Sequence, residues 1–420
     1  MRRRAWYAWR WPAAGVTATR LEQYQNSWRR HQHFTQALYH HFQSCNFWAC
    51  VAARNLQEND GEEMKLDNDI RKRINILRFM MIFGVVALHV PKYVPLGEVG
   101  PGFFDFVKAF FQHGIFRFTV AVLTFISGYL LFGSGADCSP AKLWKKKFKV
   151  LVIPFIVFNL SLLALAYLAQ LKTSMTMSYQ LVGADMGTWL DAGLGLSAAP
   201  MNYPLNFLRD MIVLMLLAPL FGFLLRTSAW TGLAGITLVF MSNLDGLLIF
   251  RDVMAIQFYL GGLMAVKQIN MKALDKYAPL LLVIFIAICA GMISLRIGNR
   301  TLLALAAPLF VWPSASLFVH TRLGTWIAEN SRYSFFIFVA HAPLLIVSWM
   351  IYEKLSRFVP YELYWVSAPF LVTAILLAVY RIAMRVLPGP FSFVIGAPRW
   401  KDPASADQSD ETAAPGLKEA

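Results

Sequence analysis

Apolar runs near or above 18 residues recur along this chain, separated by short loops that carry its lysines and arginines. Runs of that length fit a hydrocarbon layer, where backbone N–H and C=O groups must be paired inside the chain, and helices satisfy that demand. Of 420 residues 57% are hydrophobic and 15% charged, with a mean hydropathy of +0.49. The chain is therefore expected to be a polytopic membrane protein and not a soluble domain.

Spans are expected at about 74–94, 113–132, 149–170, 205–226, 229–250, 253–267, 278–296, 301–320, 334–352 and 364–386. The fold class is thus all-α, a membrane helical bundle of about ten transmembrane helices. Arg71, Lys72 and Arg73 precede the first span, which places the N-terminus in the cytoplasm. Alternation then puts Lys142, Lys145, Lys146, Lys147 and Lys149 inside, together with Arg226, Lys267, Lys272, Lys276, Arg322, Arg332, Arg381 and Arg385. The C-terminus is cytoplasmic too, and the expected location is the inner (plasma) membrane. The net charge of +15 is explained by these loops, so no nucleic-acid partner is implied.

Residues 1–63 lack sustained periodicity and read as a disordered tail or an over-extended gene start, since Met64 opens a plausible membrane-protein beginning. Residues 64–386 form the membrane domain, and 387–420 read as a disordered tail. Cys45, Cys50, Cys138 and Cys289 are scattered, and His31, His33, His40 and His41 lack acidic or Cys companions, so no metal site is expected.

Within the first span lie Arg78 and His89. Eleven residues of helix bring them back to within about 20° of one face and about 16 Å apart along the axis. A membrane-buried ionisable group costs roughly 2.5–3.5 kcal/mol on insertion scales, so such residues generally have a function or a partner. Snorkelling of Arg78 and a simple interhelical bond for His89 would be the structural alternatives. The second span opens with His113 and Arg117, one turn apart, and continues to Phe125-Ile-Ser-Gly-Tyr129, where Ser127-Gly128 suits close helix contact. Lys146 and Lys149 belong to the densest basic run, suited to topology, anionic lipid or a donor's phosphates. Arg209 and Asp210 open the fourth span, and His341 sits mid-membrane in the ninth, beside Pro343.

These stretches carry a resemblance. Arg78-x10-His89, Arg117 before Phe125-Ile-Ser-Gly-Tyr129, Lys146-x-x-Lys149 before Pro154, Pro204-Leu-Asn-Phe-Leu-Arg209-Asp210 and Tyr333-Ser-Phe-Phe-Ile-Phe-Val-Ala-His341 resemble, in order, the acyltransferase-3 family of integral membrane acyltransferases. Two positions depart from the family pattern: lysines replace the usual Arg-x-x-Arg, and Asn206 stands where a Trp is often found. The resemblance implies transfer of an acyl group, usually acetyl from acetyl-CoA, to a hydroxyl of a carbohydrate handled outside the cytoplasm, with exopolysaccharide favoured.

On this reading His89 is the general base, and Arg78 completes the catalytic group with Arg117, which orients the acceptor or stabilises the oxyanion. Lys146 and Lys149 bind the donor; His113, Arg209, Asp210 and His341 lie toward the acceptor. Acyl-CoA is a substrate, and no bound cofactor is expected. Further partners are a carbohydrate or lipid-linked oligosaccharide acceptor, the lipid bilayer and other polysaccharide-biosynthesis proteins. The alternative is a transporter or flippase for a sugar-linked or anionic lipid, which also uses intramembrane Arg and His. Absent repeats and absent paired broken helices argue against it.

Overall fold

A computed structural model describes residues 67–172 and 177–397. Among these residues the regular structure is helical, with no strand. The helices are α1 (Asn68–Leu88), α2 (Phe103–Gly133), α3 (Pro140–Lys172), α4 (Met186–Leu194), α5 (Asn206–Thr227), α6 (Ala229–Met241) and α7 (Asp252–Val266). They continue with α8 (Ala278–Ser294), α9 (Thr301–Ser314), α10 (Arg322–Asn330), α11 (Ser334–Leu355), α12 (Tyr361–Val386) and α13 (Pro388–Val394). Seven helical stretches are long and apolar enough to cross a membrane; α6 and α7 are apolar but shorter.

Each expected span contains one of these helices, but several limits differ. The first expected span runs to 94, whereas α1 stops at Leu88 with His89 as its cap. Pro91 cannot continue a helix and biases Val90 away from helical backbone. The fifth was expected to reach 250, but α6 ends at Met241 and a run of turns follows. The second begins ten residues early, at Phe103, and is broken: a π turn at Phe110–Gly114 and a 3-10 turn at Ile115–Phe118 precede the straight part. Packed structure also extends past 386, because Phe391 of α13 packs against Phe336 and Tyr380. Residues 1–63 and 398–420 lie outside the described residues.

The most polar helix is also a central one. Helix α1 packs against α2, α10, α11 and α12. Gly84 lets the broken part of α2 approach it: a Cβ there would lie 2.7 Å from Phe116 Cδ1 and 2.9 Å from Thr119 Cγ2. Helices α2 and α7 interlock similarly, since a Cβ on Gly128 would fall 2.0 Å from the Phe258 carbonyl oxygen and one on Gly261 2.0 Å from that of Phe125. Ser127-Gly128 therefore serves close helix packing.

Prolines inside helices free carbonyls that hydrocarbon cannot solvate, and side chains from neighbouring helices take them. Pro219 leaves Met215 O, which accepts the Trp144 indole N–H at 3.1 Å. Pro308 leaves Ala304 O, which accepts from Gln257 Nε2 at 2.9 Å. Pro343 leaves Val339 O, which accepts from Asn202 Nδ2 at 3.4 Å. Each bond ties two elements together at a point where the helix ladder is open.

Two groups of loops define the bundle's two faces. At the start of α1, Arg73 pairs with Asp275 at 2.6 Å, Lys72 donates to Thr325 Oγ1 at 2.8 Å, and Lys272 bonds Asp67. The Lys272 ammonium holds the exposed Asp67 carboxyl below its ordinary range. At the other end of α1, Tyr361 donates to Pro91 O at 2.7 Å and Arg296 donates to Gly97 O at 2.9 Å.

Candidate active site

His89 closes α1, and its Nδ1 lies 2.7 Å from Val85 O. A carbonyl only accepts, so Nδ1 carries the hydrogen and Nε2 of the neutral ring keeps its lone pair. The imidazole is thus locked in the tautomer a base requires. Its ring lies 5.7 Å from Tyr203 and 5.4 Å from His341. His341 is fully buried and fixed the same way, with Nδ1 2.6 Å from Phe338 O and an unpartnered Nε2. Two histidines from distant sequence therefore present adjacent rings, each with an unprotonated Nε2.

An asparagine relay from α3 and the α4 region holds this pair in place. Asn159 on α3 donates to Ala192 O and Gly193 O at 2.9 and 2.6 Å, and its Oδ1 accepts the Asn202 N–H at 2.8 Å. Asn202 then reaches Val339 O, two residues before His341, while Tyr203 follows Asn202 directly and touches His89. Asn159 and Asn202 were missed in the sequence. Their signal was present: an Asn within an apolar run, and a Pro whose freed carbonyl needs a donor.

The expected cations divide. Arg117 is exposed on the broken segment of α2, within electrostatic range of His89, and makes no hydrogen bond or ion pair among the described residues. Arg251, at the start of α7 and overlooked in the sequence, also lies within that range. Arg78 is exposed on α1 and has Lys147 as its electrostatic neighbour. Lys147 is half-buried, whereas Lys146 and Lys149 are exposed, so Lys147 is the lysine of this run turned most toward the bundle.

Three other residues have their polar groups largely committed to framework bonds. His113 is buried, with Nε2 donating to Val94 O at 2.7 Å and Nδ1 accepting from Arg300 at 3.1 Å. Arg209 donates to Gly195 O, Leu247 O and Leu248 O, pairs with Asp210 at 2.9 Å, and stacks 4.0 Å over Phe250. Asp210 is fully buried and also accepts the Phe250 N–H at 3.3 Å. This cluster fastens the turns before α7 to the start of α5. It thereby sets where Arg251 stands.

A helical membrane bundle with an oriented imidazole base and guanidiniums beside it defines a class: a multi-pass membrane enzyme equipped for group transfer to a nucleophile. Residues 71–384 match the family model described as an acyltransferase domain, acyltransferase-3. The chain belongs to the acyltransferase-3 family and is an O-acyltransferase. It is similar to the succinoglycan biosynthesis protein ExoH of Rhizobium meliloti (strain 1021), 31% identical over 353 residues that cover 79% of this chain and 94% of that protein. No solved structure matches it.

Proposed function

We propose that the protein moves an acyl group, acetyl or another short acyl, from cytoplasmic acyl-CoA to a hydroxyl of an extracytoplasmic carbohydrate at the inner membrane. An exopolysaccharide unit on a lipid carrier is the favoured acceptor, and the likeness to a succinoglycan biosynthesis protein supports that choice. Other proteins of the same polysaccharide pathway would supply it. The observation that carries the chemistry is the His89 ring with Nδ1–H bonded to Val85 O, which leaves Nε2 as a base.

In this mechanism Nε2 takes the proton of the acceptor hydroxyl as its oxygen attacks the thioester carbonyl. Arg117 stabilises the tetrahedral oxyanion. The C–S bond breaks as the intermediate collapses, and the proton on His89 passes to the departing thiolate. Arg78 and Lys147 hold the donor's phosphates, and Lys146 and Lys149 attract it as exposed charges. General-base catalysis of this kind contributes typically about 10²–10⁴-fold.

The test is mass spectrometry of surface polysaccharide from a deletion strain carrying wild type or His89→Ala. Wild type should restore the acyl groups, and His89→Ala should not, at equal protein level in the membrane. Acylation retained in His89→Ala would remove His89 as the base.

A further inference from the structure

The His89 end of the bundle carries more positive charge than the reaction itself uses. Arg251 and Arg300 stand just before the starts of α7 and α9, and Arg117 sits in the break of α2. Arg117 lies within electrostatic range of both His89 and Arg300. Arg251 is within range of His89 and Asp210. Asp210, however, already bonds Arg209 and the Phe250 N–H. Arg300 uses Nη2 on His113, while its Nε is buried without a partner. Arg117 and Arg251 make no hydrogen bond, ion pair or ring contact among the described residues.

Guanidiniums repel one another, and in a region of reduced dielectric that repulsion is stronger than in water. A bundle that gathers them without a matching carboxylate is poised for an anion from outside the chain. A neutral hydroxyl and a neutral acetyl thioester supply none. Cations on this face also run against the charge asymmetry that the Lys142–Lys149 run and α1's basic start display, so insertion does not explain them.

We propose that Arg117, Arg251 and Arg300 form an anion site beside His89 that takes a carboxylate or phosphate borne by the substrate near the reacting carbon. The inference rests on His89 being the reaction centre. The anion has two sources: the acceptor, as an acidic sugar or a phosphate link to lipid, or the far end of a dicarboxylic acyl group. Arg251 then sets specificity, and the Arg209–Asp210–Phe250 cluster positions it.

Membranes containing the full chain and native acceptor would be given radiolabelled acetyl-CoA or succinyl-CoA. If the anion is on the acyl group, wild type transfers succinyl and Arg251→Gln loses that transfer at least tenfold, with acetyl transfer changed less than threefold. If it is on the acceptor, Arg251→Gln raises the acceptor KM at least tenfold for both donors. In either case Arg251→Lys recovers part of the loss. Equal transfer by wild type and Arg251→Gln, with unchanged acceptor KM, overturns the site.

Wild type that transfers neither label would instead refute the acyl-CoA reading, and a binding measurement then decides the anion site separately. Inorganic pyrophosphate and succinate are the probes, with the purified full chain in detergent. At least one should raise the thermal midpoint of wild type and of Lys147→Gln, and the rise should vanish in Arg117→Gln/Arg251→Gln. An equal rise in that double variant, or none in wild type, overturns the proposal.

Discussion

Gly84→Ala is a one-carbon change that isolates the placement of Arg117 from the chemistry of His89. The new Cβ would lie 2.7 Å from Phe116 Cδ1 and 2.9 Å from Thr119 Cγ2, the residues flanking Arg117. Carbon contacts are favourable only from about 3.5 Å, so the α2 segment must withdraw by roughly 0.6–0.8 Å. Neither neighbour yields freely. The Phe116 ring stacks on Phe111 at 5.3 Å, and the Thr119 hydroxyl bonds Phe116 O at 2.9 Å. Overpacking of this kind costs about 1–3 kcal/mol of stability, which a bundle of this size tolerates. Catalysis is less forgiving: a misplacement of about 1 Å can cost ~10²-fold, or about 2.7 kcal/mol of barrier. The expected result is a turnover loss of about 30–100-fold with membrane level and donor binding near wild type. The assay is acyl transfer in membranes normalised to protein. Gly291→Ala is the control, because its Cβ meets nothing within 4 Å. Adding Phe116→Ala and Thr119→Ser, which delete both clashing carbons and keep the hydroxyl, should recover activity. Gly84→Ala transferring within twofold of wild type would refute the argument that this contact sets the position of Arg117.

Three further outcomes are expected. Lys147→Gln should weaken apparent acyl-CoA affinity more than Lys149→Gln, measured as donor KM, because Lys147 is half-buried beside Arg78 and Lys149 is exposed; equal effects would leave the run a surface charge. Gly128→Val should abolish accumulation of folded protein, read by detergent gel filtration, since its Cβ alone would fall 2.0 Å from the Phe258 carbonyl oxygen; a well-folded variant would show that α2 and α7 can separate. Single cysteines at Lys146 and Tyr203, both exposed, should react with an impermeant thiol reagent from opposite sides of the membrane; same-side labelling would overturn the two-sided mechanism.

Much of the architecture is local information. Length and hydropathy of each apolar run decide that it is a helix, because hydrocarbon leaves the backbone no other way to pair its polar groups. Arg78, His89, Arg117 and His341 stand out for a related reason: ionisable groups are costly in that setting, so their presence alone marks them. The sequence resemblance likewise rests on motifs read along the chain, and the family match over residues 71–384 agrees with it.

What the chain order could not give is which side chain meets which. Pro343 announces a free carbonyl, but only packing names Asn202 as its donor from 137 residues away. His113 and Arg209 read as acceptor-side groups, yet the fold commits most of their polar groups to carbonyls and neighbouring side chains, so they hold loops together. Lys147 and Lys149 are indistinguishable as lysines in a basic run, and the difference between them is the side of the helix that faces Arg78. Arg251 is ordinary in sequence and becomes a neighbour of His89 because Arg209, Asp210 and Phe250 fasten its turn to α5. Helix formation depends on bonds four residues apart, whereas a site depends on contacts between segments the sequence separates. Those contacts exist only after the helices have chosen their partners.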